Sequence, residues 1–219
     1  MITHNSIEWW AKRLETPLSL ARFGDGEFLC IEGKKGGNSH GCDYTPELRA
    51  DLIATAAYEA PGYLKGIQRI TPAQLKRVHS YIVGEWVDTE VFGDALAEGK
   101  LAPFFETLRT KELVIVSSKE KRAIPFSYKH FVETPRTNAH AEKERIVNEV
   151  LEYCKLAETP PVVLFACGMA AGTFVRELHG KVPGASFIDI GHIFDPFVGE
   201  ASRDYLLALA PDTLAKNLA

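Results

Sequence analysis

Three short runs constrain the fold of this chain more than anything else in it: Leu18-Ser19-Leu20-Ala21, Leu113-Val114-Ile115-Val116 and Pro161-Val162-Val163-Leu164-Phe165-Ala166. All are of strand length, and the last two carry no polar residue to turn toward water. A strand with no polar side must be covered on both faces, which is the signature of a parallel sheet under helices. The segments between them have helical signals. Ala139–Leu156 places Ile146, Val147, Val150, Leu151 and Cys154 on one stripe. Thr45-Pro46 and Thr71-Pro72 have the cap-then-proline order that opens a helix. Shorter helices are expected at Ser6–Leu14, Glu27–Glu32 and Pro103–Thr110, and strands at Tyr63–Ile67, Tyr128–Glu133 and Ala185–Ile190. This alternation predicts an α/β fold, with a mostly parallel sheet and helices on both faces.

With 219 residues, the chain reads as one domain over 1–219, in which 1–16 form a short N-terminal helical appendage. A net charge of −4 with no block of five like charges argues against a nucleic-acid backbone as main partner. The four cysteines lack any Cys-x-x-Cys spacing, so neither a zinc knuckle nor a redox motif is indicated, and a reducing compartment fits. No secretory leader pattern and no bilayer-length apolar run is present, and a cytoplasmic location is the expectation.

The chemistry concentrates where strands should end, the usual ligand edge of an open α/β sheet. Arg22-Phe23-Gly24-Asp25-Gly26-Glu27 follows the first run. Asp25 and Glu27 are close enough to share one hard divalent cation, Mn²⁺ or Mg²⁺. Gly24 and Gly26 permit a sharp turn or a close ligand approach, and Arg22 supplies a fixed positive charge for an anion. An acidic cap on a strand-to-helix turn would look similar. Gly168-Met169-Ala170-Ala171-Gly172 offers either a phosphate-binding helix start or tight helix–sheet packing. Asp189 and His192 end the last strand, on the same edge, and together with Asp195 they are candidates for a general base. Asn138 reads as an N-cap, while Arg136 and His140 beside it could hold phosphate or sugar hydroxyls. Lys119, Lys121 and Arg122 are candidates for pyrophosphate contact or are simply solvated.

In order and spacing these elements resemble the GT-D-type glycosyltransferases, first catalogued as a bacterial domain of unknown function. Arg22–Glu27 is like the family's R-[FY]-G-D-G-E, Asn138-Ala139-His140 is similar to its N-A-Y element with His for Tyr, and Asp189-Ile190-Gly191-His192 is like its D-x-G-H. The resemblance implies a Rossmann-like sheet and a metal-dependent glycosyltransferase moving a hexose from a UDP-sugar, such as UDP-glucose, to a glycan or glycoconjugate acceptor. A modified nucleic acid as acceptor is disfavoured by the acidic charge. The resemblance implies metal and donor diphosphate for Asp25 and Glu27. Taken with the residue readings above, catalysis is expected of these with Asp189 and His192, and donor binding of Arg22, Gly24, Gly26, Asn138, His140, Gly168 and Lys121, although Cys167–Ala171 departs from the family's G-P-T-A-like turn. The acidic turn alone would equally serve a metal-dependent phosphohydrolase, a nucleotidyl enzyme or a nucleotide-binding module without turnover.

Overall fold

The computed structural model describes residues 2–38, 41–68, 71–200 and 209–219. In chain order they form β1 (Ile2–Thr3), α1 (Ile7–Arg13), β2 (Ser19–Phe23), α2 (Asp25–Ile31), α3 (Pro46–Ala57), β3 (Tyr63–Ile67), α4 (Pro72–Val78), β4 (Trp86–Asp88), α5 (Val91–Glu98), α6 (Ala102–Arg109), β5 (Leu113–Ser117), β6 (His130–Glu133), α7 (Lys143–Leu156), β7 (Val162–Ala166), α8 (Ala171–Leu178), β8 (Ser186–Asp189) and α9 (Pro211–Leu218). The strands make one sheet in the order β1-β4-β3-β2-β8-β7-β5-β6. All its pairings are parallel, so the expected α/β architecture is present.

Alternate residues of the central strands feed two separate cores. On one face Ala21, Phe23, Val114, Val116, Val163, Phe165 and Phe187 pack under α2, α3, α7 and α8. On the other, Leu20, Leu113, Ile115, Val162, Leu164 and Ile188 pack under α1, α5, α6 and α9. This is why the strand sequences read as continuous apolar runs. In α1, Ile7 and Trp10 are buried in the second core, and Trp9 is the ring left partly exposed. Phe104 and Phe105 are core residues as well.

Several boundaries move for local reasons. The helix expected from Glu27 starts at Asp25, because Gly24 takes the N-cap position and its N–H donates to the Glu27 carboxylate at 2.8 Å. The helix expected from Ala139 opens as a 3-10 turn (Ala139–Glu142) before α7. Thr45 caps α3 by accepting from the Leu48 N–H at 3.1 Å, as its sequence order requires. The helix opened by Thr71-Pro72 ends as α4 at Val78, with a 3-10 turn to Tyr81.

One close approach fixes the layer above the sheet centre. A Cβ on Gly172 of α8 would stand 3.4 Å from Ala21 Cβ and 3.5 Å from the Arg22 carbonyl oxygen. The small-residue segment thus serves tight helix–sheet packing at Gly172. Gly172→Ala should be tolerated, since added helix propensity offsets a firm contact. Gly172→Val should lose about 1–3 kcal/mol by overpacking, measured by denaturant unfolding; equal stability of the two variants would contradict this packing.

Candidate active site

Between β2 and β8, neighbouring strands at the centre of the sheet send their connections to opposite faces. From β2 the chain enters α2 on the first face, whereas from β8 it runs through Ile193 and Phe194 into the second core. Such a switch point opens a crevice at the carboxyl ends of the two strands. Arg22, Gly24, Asp25, Gly26 and Glu27 lie on one side of it, Asp189, Gly191 and His192 on the other.

Each of these residues is held by its own local chemistry. Asp25 is exposed on the first turn of α2 and accepts the Gly26 N–H at 2.9 Å. Acidic residues here are also favoured by the helix dipole. Burial raises the Glu27 carboxyl above its ordinary range, the Asp25 charge adds to this, and the Gly24 hydrogen bond and the Arg22 charge oppose it. Arg22 projects to the second face, its guanidinium 5.9 Å from the centre of the Phe92 ring. Gly191 makes room for it: at a φ of 61°, a Cβ there would be 2.7 Å from an Arg22 terminal nitrogen. Asp189 is buried and accepts backbone N–H groups of Gly191, at 3.0 Å, and Arg22. Burial pushes its carboxyl up to about 7, with Glu27 contributing and Arg22 opposing. The crevice is therefore an acidic cluster with one arginine beneath it.

The donor-side residues expected elsewhere do not all join this cluster. Asn138 and His140 line a neighbouring cavity of about 720 Å³, between the N-terminal ends of α3 and α7. Asn138 has left-handed backbone (φ 57°) and makes no cap bond, correcting the N-cap expectation. Its amide is spent on Asp43: the Asp43 N–H donates to Asn138 Oδ1 at 2.7 Å, and Asn138 Nδ2 donates to the Asp43 carboxylate at 2.8 Å. Lys121 is buried in an ion cluster with Asp195, at 2.9 Å, and Glu200. Asp195 is consequently committed to a cation. Gly168 sits at the β7–α8 turn with a positive φ of 70°, and Met169 next to it contacts the position a Gly26 Cβ would take, 3.4 Å from its sulfur.

Two residues with no sequence signal complete the picture. Tyr44 follows a glycine-rich loop, and its phenol is raised by burial and by the nearby Asp25 and Glu27 carboxylates. Asp51, an ordinary-looking carboxylate within α3, accepts from His140 Nε2 at 2.8 Å, Lys143 Nζ at 2.8 Å and Arg176 at 3.0 Å. Burial pushes its carboxyl up, but these hydrogen bonds and charges outweigh burial and hold it low. Spacing in sequence cannot reveal such a hub, because its partners come from 89 or more residues away.

Hard carboxylate oxygens of Asp25 and Glu27 suit a divalent cation that keeps water and phosphate ligands. Among the described residues no group of three or more His, Cys, Asp or Glu side chains is arranged to hold a metal unaided. The pair fits a cation completed by substrate.

Fold and crevice together define an open α/β protein with a crevice at a topological switch point. Solved structures share this fold. A glycosyltransferase (DUF1792) from Streptococcus sanguinis superposes with a TM-score of 0.69 at 20% identity, over 89% of this chain and 83% of that one. A selenomethionine-substituted domain of unknown function 1792 gives 0.65 at 19% identity, over 89% and 79%. A third structure, of the highly conserved domain of unknown function 1792 with its distinct glycosyltransferase fold, gives 0.59 at 19% identity over the same shares. The resemblance drawn from the motifs is thus matched in three dimensions. No protein-family model matches the sequence, and no curated protein matches it significantly. Among the described residues no helix is long and apolar enough to cross a membrane.

The raised Asp189 carboxyl has a signed consequence for stability. It ionises at about 4 when unfolded and at about 7 when folded. Between these values the folded protein binds the extra proton, so stability falls as pH rises and levels off above 7. In Asp189→Asn that loss is absent. Its Tm relative to wild type should climb from pH 4 to 7 and then stay constant, whereas parallel Tm curves would refute the buried, protonated carboxyl.

Proposed function

We propose that the chain is a metal-dependent glycosyltransferase that moves a hexose from a nucleotide sugar, UDP-glucose or a close relative, to a hydroxyl-bearing acceptor. The observation that carries this is the acidic first turn of α2 standing at the switch-point crevice, with Asp25 exposed and Glu27 behind it. Support comes also from the fold shared with the glycosyltransferase structures.

In this reading Asp25 and Glu27 hold a Mn²⁺ or Mg²⁺ ion, which when bound neutralises charge developing on the leaving diphosphate. Arg22 adds a permanent positive charge under the same crevice and lies close enough to lower the Asp189 and Glu27 carboxyls. Gly24 and Gly26 leave room for the Glu27 carboxylate and the Met169 sulfur, which a Cβ would approach to 3.3 and 3.4 Å. Asp189 fixes the loop after β8 through two backbone N–H groups, which keeps Gly191 against Arg22. The absence of bulk at 191 is thereby linked to where the arginine can sit.

Thermal unfolding of wild type and Asp25→Ala, with UDP-glucose and with or without Mn²⁺, tests this reading. Wild type should be stabilised by the pair of ligands together, by about 3 kcal/mol at a hundredfold excess over Kd. Asp25→Ala should unfold at an unchanged Tm without ligand and lose the shift. Release of phosphate or nucleotide from the donor without any acceptor product would instead favour a hydrolase.

A further inference from the structure

The cavity between α3 and α7 is not lined by Asp25, Glu27, Asp189 or His192, yet it adjoins the acidic turn. Met169 lines it and packs against Gly26, and Cys167 lines it while its thiol is raised by burial and by nearby Asp189. The cavity and the acidic turn are therefore immediate neighbours. At about 720 Å³ the cavity lies within the range of small-molecule sites, roughly 300–1,000 Å³.

Its charge does not suit a nucleoside diphosphate. Asp43, Glu47, Glu142 and Glu144 outnumber Lys143 and Arg145 around it. Both cations are engaged, Lys143 with Asp51 and Arg145 with Glu142 and Glu149. The buried part of the lining is apolar, from Leu48, Ala139, Met169 and Ala170, which fits the apolar face of a sugar ring. A neutral, hydroxyl-bearing molecule is what such a space accepts.

The one imidazole in this lining is anchored at one nitrogen. His140 Nε2 meets the Asp51 carboxylate at 2.8 Å, and no hydrogen bond engages Nδ1 among the described residues. A carboxylate on one ring nitrogen sets the tautomer and leaves the other as a proton acceptor. The other candidates for that role are occupied, enclosed or outside this lining. Asp195 is paired with Lys121, Asp189 is buried on two backbone N–H groups, and His192 stands beside Arg22 across the crevice and does not line this cavity.

We propose that this cavity is the acceptor site, that it takes a neutral glycoside, and that His140 is the general base there with Asp51 as its positioning residue. The assignment rests on the glycosyltransferase reading above. In the step, the acceptor hydroxyl gives its proton to His140 Nδ1 as its oxygen bonds to the anomeric carbon. The bond from that carbon to the diphosphate breaks, and its electron pair leaves with the diphosphate. The charged groups facing the imidazole are Asp51 from α3, Lys143 from α7, Arg176 and Glu177 from α8, with Glu47 and Glu144 at the rim.

The test uses the full chain with UDP-glucose, Mn²⁺ and a panel of neutral p-nitrophenyl glycosides, following UDP release, with UDP-glucose affinity measured by calorimetry. His140→Gln should lower glycoside-dependent kcat/KM by about 100-fold or more, keep the donor affinity, and abolish the acid limb of the pH profile. Asp51→Asn should lower kcat and displace that limb, with donor binding reporting that the variant is folded. His140→Gln with unchanged turnover and an unchanged acid limb would overturn the proposal while leaving the transferase reading intact. A wild type that binds UDP-glucose yet uses none of the glycosides would overturn the acceptor class. A wild type that does not bind UDP-glucose would remove the transferase reading and this proposal together.

Discussion

The seam between β2 and β8 is the constraint on which the site depends. Parallel pairing of Ser19 with Phe187 and Leu20 with Ile188 brings the acidic turn and the Asp189–His192 segment to the same edge. Because the two strands hand the chain to opposite faces, their loops diverge and leave space between them. Neither loop makes a site alone. Arg22 belongs to β2 but needs Gly191 after β8 to lie flat, and Asp189 belongs to β8 but is satisfied partly by the Arg22 backbone. The seam is stitched by contacts that are also the floor of the crevice.

Beside that seam the charge is arranged in separate parcels. Lys121, Asp195 and Glu200 form one, tying the loop after β5 to the loop after β8. Asp51 with His140, Lys143 and Arg176 forms another, tying three helices of the first face. The Asp43–Asn138 pair draws the loop before α3 toward the start of the α7 segment. The first two parcels are buried or half-buried and costly to break one partner at a time, which suits a framework that must hold a cavity open.

Much of the fold was legible because its signals are short-range. Runs such as Val162–Ala166 and Leu113–Val116 specify double burial by themselves, and Thr45 and Thr71 mark their helix starts. Strands of two or three residues, β1 and β4, carry too little periodicity to be read, and α5 and α9 open without a side-chain cap. The crevice residues were legible because they end strands. For Lys121 and Asn138 the sequence shows only a polar group at the right edge; their neighbours Asp195 and Asp43 come from three-dimensional contacts that spacing does not reveal. Asp51 was invisible for the converse reason, since nothing near it in sequence distinguishes it from a solvated carboxylate.

The long reach of the central pairing has a consequence for how the molecule comes into being. The Leu18 amide is tied to the Ser186 hydroxyl, 168 residues away, and β2 acquires its β8 neighbour only when that distant segment exists. During synthesis from the N-terminus, β2, β3 and β4 can associate early, but the gap beside β2 waits for β8. Closing so large a loop is slow and entropically opposed. The crevice thus cannot form before β8 exists, and a ribosome-bound fragment that already displays the acidic turn still lacks its opposite wall.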